Sequence, residues 1–125
     1  MLFDTDILIW VQRGSQKASE LIDDATQRAI STQTYLELLQ GAHSKKQHLL
    51  IRTFLKDFSF EMMPFTENIG HRASIYVEDY ALSHGVRAGD AIIAATAMEY
   101  NLPLATGNAK HFQCVPGLQL KVFKP

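Results

Sequence analysis

A single cysteine, Cys114, stands among 125 residues, so no intramolecular disulfide can form and no CxxC zinc site exists. No apolar run comes near the 18 residues a membrane-spanning helix needs. The opening segment MLFDTDILIW has no basic stretch before its apolar residues and carries two acids, which excludes a secretory signal. A cytoplasmic, reducing setting is therefore the expectation. Four prolines and seven glycines are scattered singly, leaving no linker, repeat or low-complexity tract. Charge of one sign is also missing. Twelve Lys and Arg against thirteen Asp and Glu give a formal net charge of −1, so no bulk field points to nucleic acid.

What is present is ordinary for a folded protein: 46% hydrophobic and 20% charged residues. Residues 1–125 are expected to form one domain, a size that buries roughly two-thirds of the unfolded surface without metal or disulfide support. Charge is unevenly spread. No acid falls between Glu37 and Asp57, where Lys45, Lys46, Arg52 and Lys56 lie. After Glu99 there is again no acid, only Lys110, Lys121 and Lys124. Solvated faces explain such runs in general, and a local phosphate-binding rim is the alternative.

Periodicity predicts short apolar strands alternating with helices. Met1 to Phe3 reads as a first strand and Thr5 to Val11 as a short helix closed near Gly14. Ser15 can cap a helix with Ala18, Leu21, Ile22 and Ala25 on one face. Ala29 and Ile30 form a second strand ending at Ser31 and Thr32. The spacing from Thr34 to Glu37 matches a capping box that opens a helix to about Gly41. Leu49, Leu50, Phe54 and Leu55 mark another helix, and Phe60 to Met63 a third strand stopped by Pro64. Thr66 opens a long helix that ends at His84 and Gly85. Asp90 is placed as the N-cap of a helix from Ala91 to Tyr100. Pro103 to Thr106 and Leu118 to Val122 are the fourth and fifth strands.

Such alternation predicts a three-layer α/β/α sandwich around a parallel five-stranded sheet. Ligands in these folds bind beyond the carboxyl ends of the strands. Asp4, Ser31, Thr32, Thr106 and Asn108 fall at such ends, with Glu37 in the following helix and Asp90 at a helix start. Hard divalent cations such as Mg²⁺ choose oxygen ligands and keep several waters. Asp4, Glu37 and Asp90 suit such an ion, and no histidine or cysteine cluster competes for a transition metal. Each acid also has a structural alternative: a turn for Asp4, a capping box for Glu37 and a helix cap for Asp90. Trp10, Tyr35, Phe65 and Phe112 are candidate base-stacking residues, although aromatic residues flanking strands are mostly core.

The segments MLFDTDILIW, STQTYLELLQGA, AGDAIIAATAMEYNLPLATGNAKHF and VPGL together resemble PIN-domain ribonucleases of the VapC toxin type. The resemblance covers nearly the whole chain, in order, and its most specific piece is GDAIIAATA followed by a strand and TGNAKHF. It implies a Mg²⁺- or Mn²⁺-dependent endoribonuclease, with Asp4, Glu37 and Asp90 as catalytic and metal-holding acids and water as the attacking group. Asp6, Thr106 and Asn108 are implied as supporting residues, Asp6 either behind the metal site or as a helix cap. Many members carry an aspartate where His111 stands here, which bears on the presence of a second ion. RNA as substrate, a small VapB-type antitoxin as partner and a homodimer are further implications. Two alternatives compete. One is a PIN-like module that binds nucleic acid or a partner with little catalysis. The other is a haloacid-dehalogenase-like phosphatase, suggested by LFDTD but opposed by Ile7 and Leu8 where Gly-Thr is usual.

Overall fold

In the computed structural model, residues 1–125 are described throughout. Five strands alternate with six helices: β1 (Leu2–Phe3), α1 (Thr5–Gln12), α2 (Gln16–Asp24), β2 (Ala29–Ser31), α3 (Thr32–Gln40) and α4 (Lys45–Asp57). They continue with β3 (Glu61–Met63), α5 (Glu67–His84), α6 (Ala88–Glu99), β4 (Leu104–Thr106), a 3₁₀ turn at Ala109–His111 and β5 (Leu120–Val122). All ladders are parallel, and the strand order is β3-β2-β1-β4-β5. The expected sheet is therefore observed, with β1 at its centre.

Strand alternation sorts the core into two layers. Leu2, Ala29 and Leu104 face α5 and α6, where Ile69, Ala73, Ala91, Ile93 and Ala95 pack. Phe3, Ile30 and Ala105 face the other side, against Ile7, Ile22, Leu38 and Ile51 from α1 to α4. The small side chains of α6 let it lie close to the sheet and α5; Ala91 and Ala95 are wholly buried. Phe3 meets Phe60 edge-on with ring centroids 5.7 Å apart, a favourable aromatic geometry. No helix is long and apolar enough to cross a membrane.

Two helix starts differ from the sequence expectation. The capping box predicted from Thr34 to Glu37 is not formed. Ser31 is the N-cap of α3, accepting the Thr34 amide at 2.9 Å, so the helix starts directly at the end of β2. Asp90 is not the N-cap of α6. That helix starts at Ala88 after Arg87, and the Asp90 carboxylate in its first turn accepts the Arg87 amide at 3.3 Å. Strand ends shift by a residue or two. Pro103 lies outside β4, yet its carbonyl still accepts the Leu2 amide at 2.8 Å. The helix stop at Gly85 is as expected, because its φ of 70° suits a residue without Cβ.

Ser31 is completely buried and joins β2 to α3. Ser31→Ala is expected to cost about 1 kcal/mol of stability in a urea titration. An unchanged midpoint would show that this cap contributes nothing.

Candidate active site

The site grows from the end of β1. The Asp4 amide continues the ladder by donating to the Ala105 carbonyl at 2.9 Å. There the chain turns, and Asp4 becomes the N-cap of α1, its Oδ1 accepting the Thr5 amide at 2.8 Å. Its Oδ2 accepts the Thr106 hydroxyl at 2.7 Å, from the end of neighbouring β4. Only 6% of Asp4 is exposed. Burial raises its pKa to about 7, with the Asp6 charge as the next cause. The bonds from Thr106 and Thr5 oppose the shift, and Asp90 adds to it.

Glu37 is held by a path the sequence did not reveal. Thr5 reaches Glu37 Oε1 at 2.6 Å and Thr34 Oγ1 at 3.0 Å. A hydroxyl has one proton, and the short contact to a carboxylate takes it, so Thr34 must donate to Thr5. Ser31 then donates to Thr34 at 3.2 Å. A row of three hydroxyls thus runs from the α3 cap to the Glu37 carboxylate. Thr34 is buried like Ser31. The one available sequence signal was the hydroxyl residue between the two acids of the DTD triplet.

The first turn of α6 brings Asp90. A Cβ placed on Gly89 would lie 3.1 Å from Glu37 Oε2, so α6 starts directly beside the Glu37 carboxylate. The positive end of that helix favours carboxylates there. Asp90 Oδ2 stands 3.4 Å from His111 Nδ1. The same ring nitrogen is 2.7 Å from the Asn108 amide nitrogen. Asn108 therefore holds the imidazole, while its backbone amide donates to Thr106 Oγ1 at 2.9 Å. His111 thus lies against Asp90. Asp6 does not cap α1, since Asp4 does so; Asp6 Oδ2 accepts the Gly107 amide at 2.9 Å. Burial raises the Asp6 pKa as well.

These donors suit a divalent cation held largely through water. No three His, Cys, Asp or Glu side chains converge closely enough to ligate one ion directly. The available oxygens are carboxylate and hydroxyl, the hard donors that Mg²⁺ and Mn²⁺ prefer. Asp6 Oδ1 is buried without a partner, and Asp4 sits where neighbouring negative charge resists its ionisation. A cation with its waters beside Asp4 would relieve the second condition.

The PIN domain family profile matches residues 1–117. Ribonuclease VapC10 of Mycobacterium tuberculosis is 35% identical over 116 residues, spanning 90% of this chain and 85% of that protein. The chain belongs to the PIN domain family, in its VapC branch. Ribonuclease VapC of Rickettsia bellii is 33% identical over 129 residues, covering 96% of this PIN domain and 93% of its own length. Among solved structures, a toxin-antitoxin complex from Klebsiella pneumoniae superposes with a TM-score of 0.78 at 31% identity, covering 94% and 93% of the two chains. VapBC2 from Rickettsia felis, bound to a DNA fragment from its promoter, superposes with a TM-score of 0.80 over 98% of each chain. At 22% identity that likeness concerns the fold.

The Asp4 shift sets a pH dependence. Its folded pKa of about 7 lies above the ordinary value of 3.8, so the folded state binds the extra proton. The resulting stabilisation is full below the ordinary value and is lost as pH rises through about 7, by up to about 1.4 kcal/mol per unit. Thermal unfolding without divalent metal should show this decline, and Asp4→Asn should flatten it. Adding Mn²⁺ at alkaline pH should raise the melting temperature of the wild type but not of Asp4→Asn. A decline unchanged in Asp4→Asn would refute the cause given.

Proposed function

We propose that this PIN domain, residues 1–125, is a Mg²⁺- or Mn²⁺-dependent endoribonuclease acting as the toxin of a toxin–antitoxin pair. The observation that carries the reading is Asp4: a buried carboxyl, pushed up to about 7, with other acids around it. Nothing in the packing of the fold requires that concentration of carboxylates, whereas a cation does. The relatives named ribonuclease VapC supply the reaction class.

In this reading Asp4, Glu37 and Asp90 hold the cation, at least partly through its waters. When bound, the ion supplies Lewis acidity toward water and the scissile phosphodiester. The chain's own work is positional. Thr106 and the Thr5 amide fix the two Asp4 oxygens, Thr5 fixes one Glu37 oxygen, and the Arg87 amide fixes one from Asp90. Asn108 holds the His111 ring beside Asp90 on the β4 side. Carboxylates held in place need little reorganisation as charge develops on the phosphate.

The antitoxin fits a groove of about 880 Å³ lined by Leu8, Leu38, Ile51 and Phe54 and reaching Glu37. A segment lying there would pass beside Glu37, and one similar solved structure is a toxin–antitoxin complex. A homodimer is supported by apolar side chains at α3 and the β3 edge: Leu36, Met62 and Phe65 are about half exposed.

Incubation of purified protein with RNA and Mn²⁺ should yield products with 5′-phosphate and 3′-hydroxyl ends, blocked by chelation. Asp4→Asn should reduce cleavage at least about 100-fold, since losing even an outer partner of a metal site costs 10–100-fold. A 2′,3′-cyclic phosphate end, or undiminished cleavage by Asp4→Asn, would overturn the mechanism.

A further inference from the structure

We infer that Asp6 is a positioning residue that locks the segment after β4 to the first turn of α1, with Gly107 as its obligatory partner. The inference rests on the proposed metal site and adds a residue that orders it. Asp6 lies two residues beyond Asp4, and its Oδ2 accepts the Gly107 amide at 2.9 Å across a separation of 101 positions. Gly107 sits between Thr106, which holds Asp4, and Asn108, which holds His111. The Asp6 bond therefore fixes the residue that links the two arrangements.

Gly107 itself shows how tight this contact is. It does not have the positive φ that justifies Gly14, Gly85 and Gly117, so its backbone conformation does not call for glycine. A Cβ there would instead fall 2.6 Å from Asp6 Oδ2 and 3.5 Å from the Phe123 carbonyl. The carboxylate of Asp6 fills the space where a side chain would be. A larger residue at 107 would displace the Asp6 carboxylate from this bond, so the two residues form one unit across the ends of β1 and β4.

Loss of this bond leaves the Gly107 amide without its only protein partner and frees the chain on which Thr106 depends. Thr106 would then hold Asp4 less well, and the cation site would loosen without losing any carboxylate of the ion-holding set. An asparagine at position 6 keeps an acceptor for the Gly107 amide and so preserves the lock.

The test compares Asp6→Ala, Asp6→Asn, Gly107→Ala and the Asp6→Ala/Gly107→Ala double variant. Melting temperatures with and without Mn²⁺ are read beside RNA cleavage. Asp6→Ala should lose most of the Mn²⁺-induced rise and about 10- to 100-fold in cleavage, and Asp6→Asn should recover most of both. Gly107→Ala should be similarly damaging. The double variant should be little worse than either single one, because removing the carboxylate makes room for the new methyl group. Additive losses, a wild-type Mn²⁺ response in Asp6→Ala, or failure of Asp6→Asn to rescue would overturn the proposal. If the wild type neither responds to Mn²⁺ nor cleaves RNA, the metal reading fails by itself. The metal-free melting temperatures then decide the lock: coupling between positions 6 and 107 supports it and additivity overturns it.

Discussion

The structure depends on keeping the Asp4 carboxylate at the buried end of a central strand. Burial and the neighbouring Asp6 and Asp90 charges oppose its ionisation, and hydrogen bonds from Thr106 and Thr5 oppose that effect. Those bonds reach across from β4 and from the first turn of α1, so sheet register and helix start must both be right for Asp4 to be held. Register at this point is fixed by the pairing of Phe3 with Ala105, one residue before Asp4 and Thr106. A slip of one residue would turn Phe3 out of its layer and leave Asp4 facing no hydroxyl.

Threonine and serine do much of the ordering. A hydroxyl both accepts and donates, so Ser31, Thr34 and Thr5 can carry an α3 cap through to the Glu37 carboxylate without adding charge to an already negative pocket. A lysine or arginine in these places would satisfy the acids permanently and leave nothing for a cation. The protein thereby keeps the acids oriented but unneutralised, a stability cost of the kind that proteins concentrate at functional sites.

Much of the architecture was legible because each layer has its own pattern. Apolar strands a few residues long, broken by capped helices, suffice to predict a parallel sheet covered on both faces. The helix stop at Gly85 and the strand ending at Asp4 follow from local chemistry. The errors arose where local spacing admits two solutions. Thr34 and Glu37 satisfy a capping box by spacing, but Ser31 already receives the Thr34 amide and Glu37 is taken by Thr5, 32 positions away. Asp90 can serve a helix start as N-cap or from inside the first turn, and only the Arg87 contact separates these. Asp6 could be read as a cap because its partner Gly107 is distant in sequence. The sequence shows which residue types are available; contacts across a hundred positions decide which of them meet.

The strand order carries a consequence for synthesis on the ribosome. The central strand β1 precedes most of the chain, yet one of its two neighbours, β4, begins only at Leu104. Asp4 meets Thr106 across 102 positions, and Asp90 and His111 also come late. A nascent chain carrying the first acid can therefore have no assembled acidic pocket until nearly the whole domain has been translated. The site is therefore a property of the completed domain, since its parts come together only when the last segments of the chain have emerged.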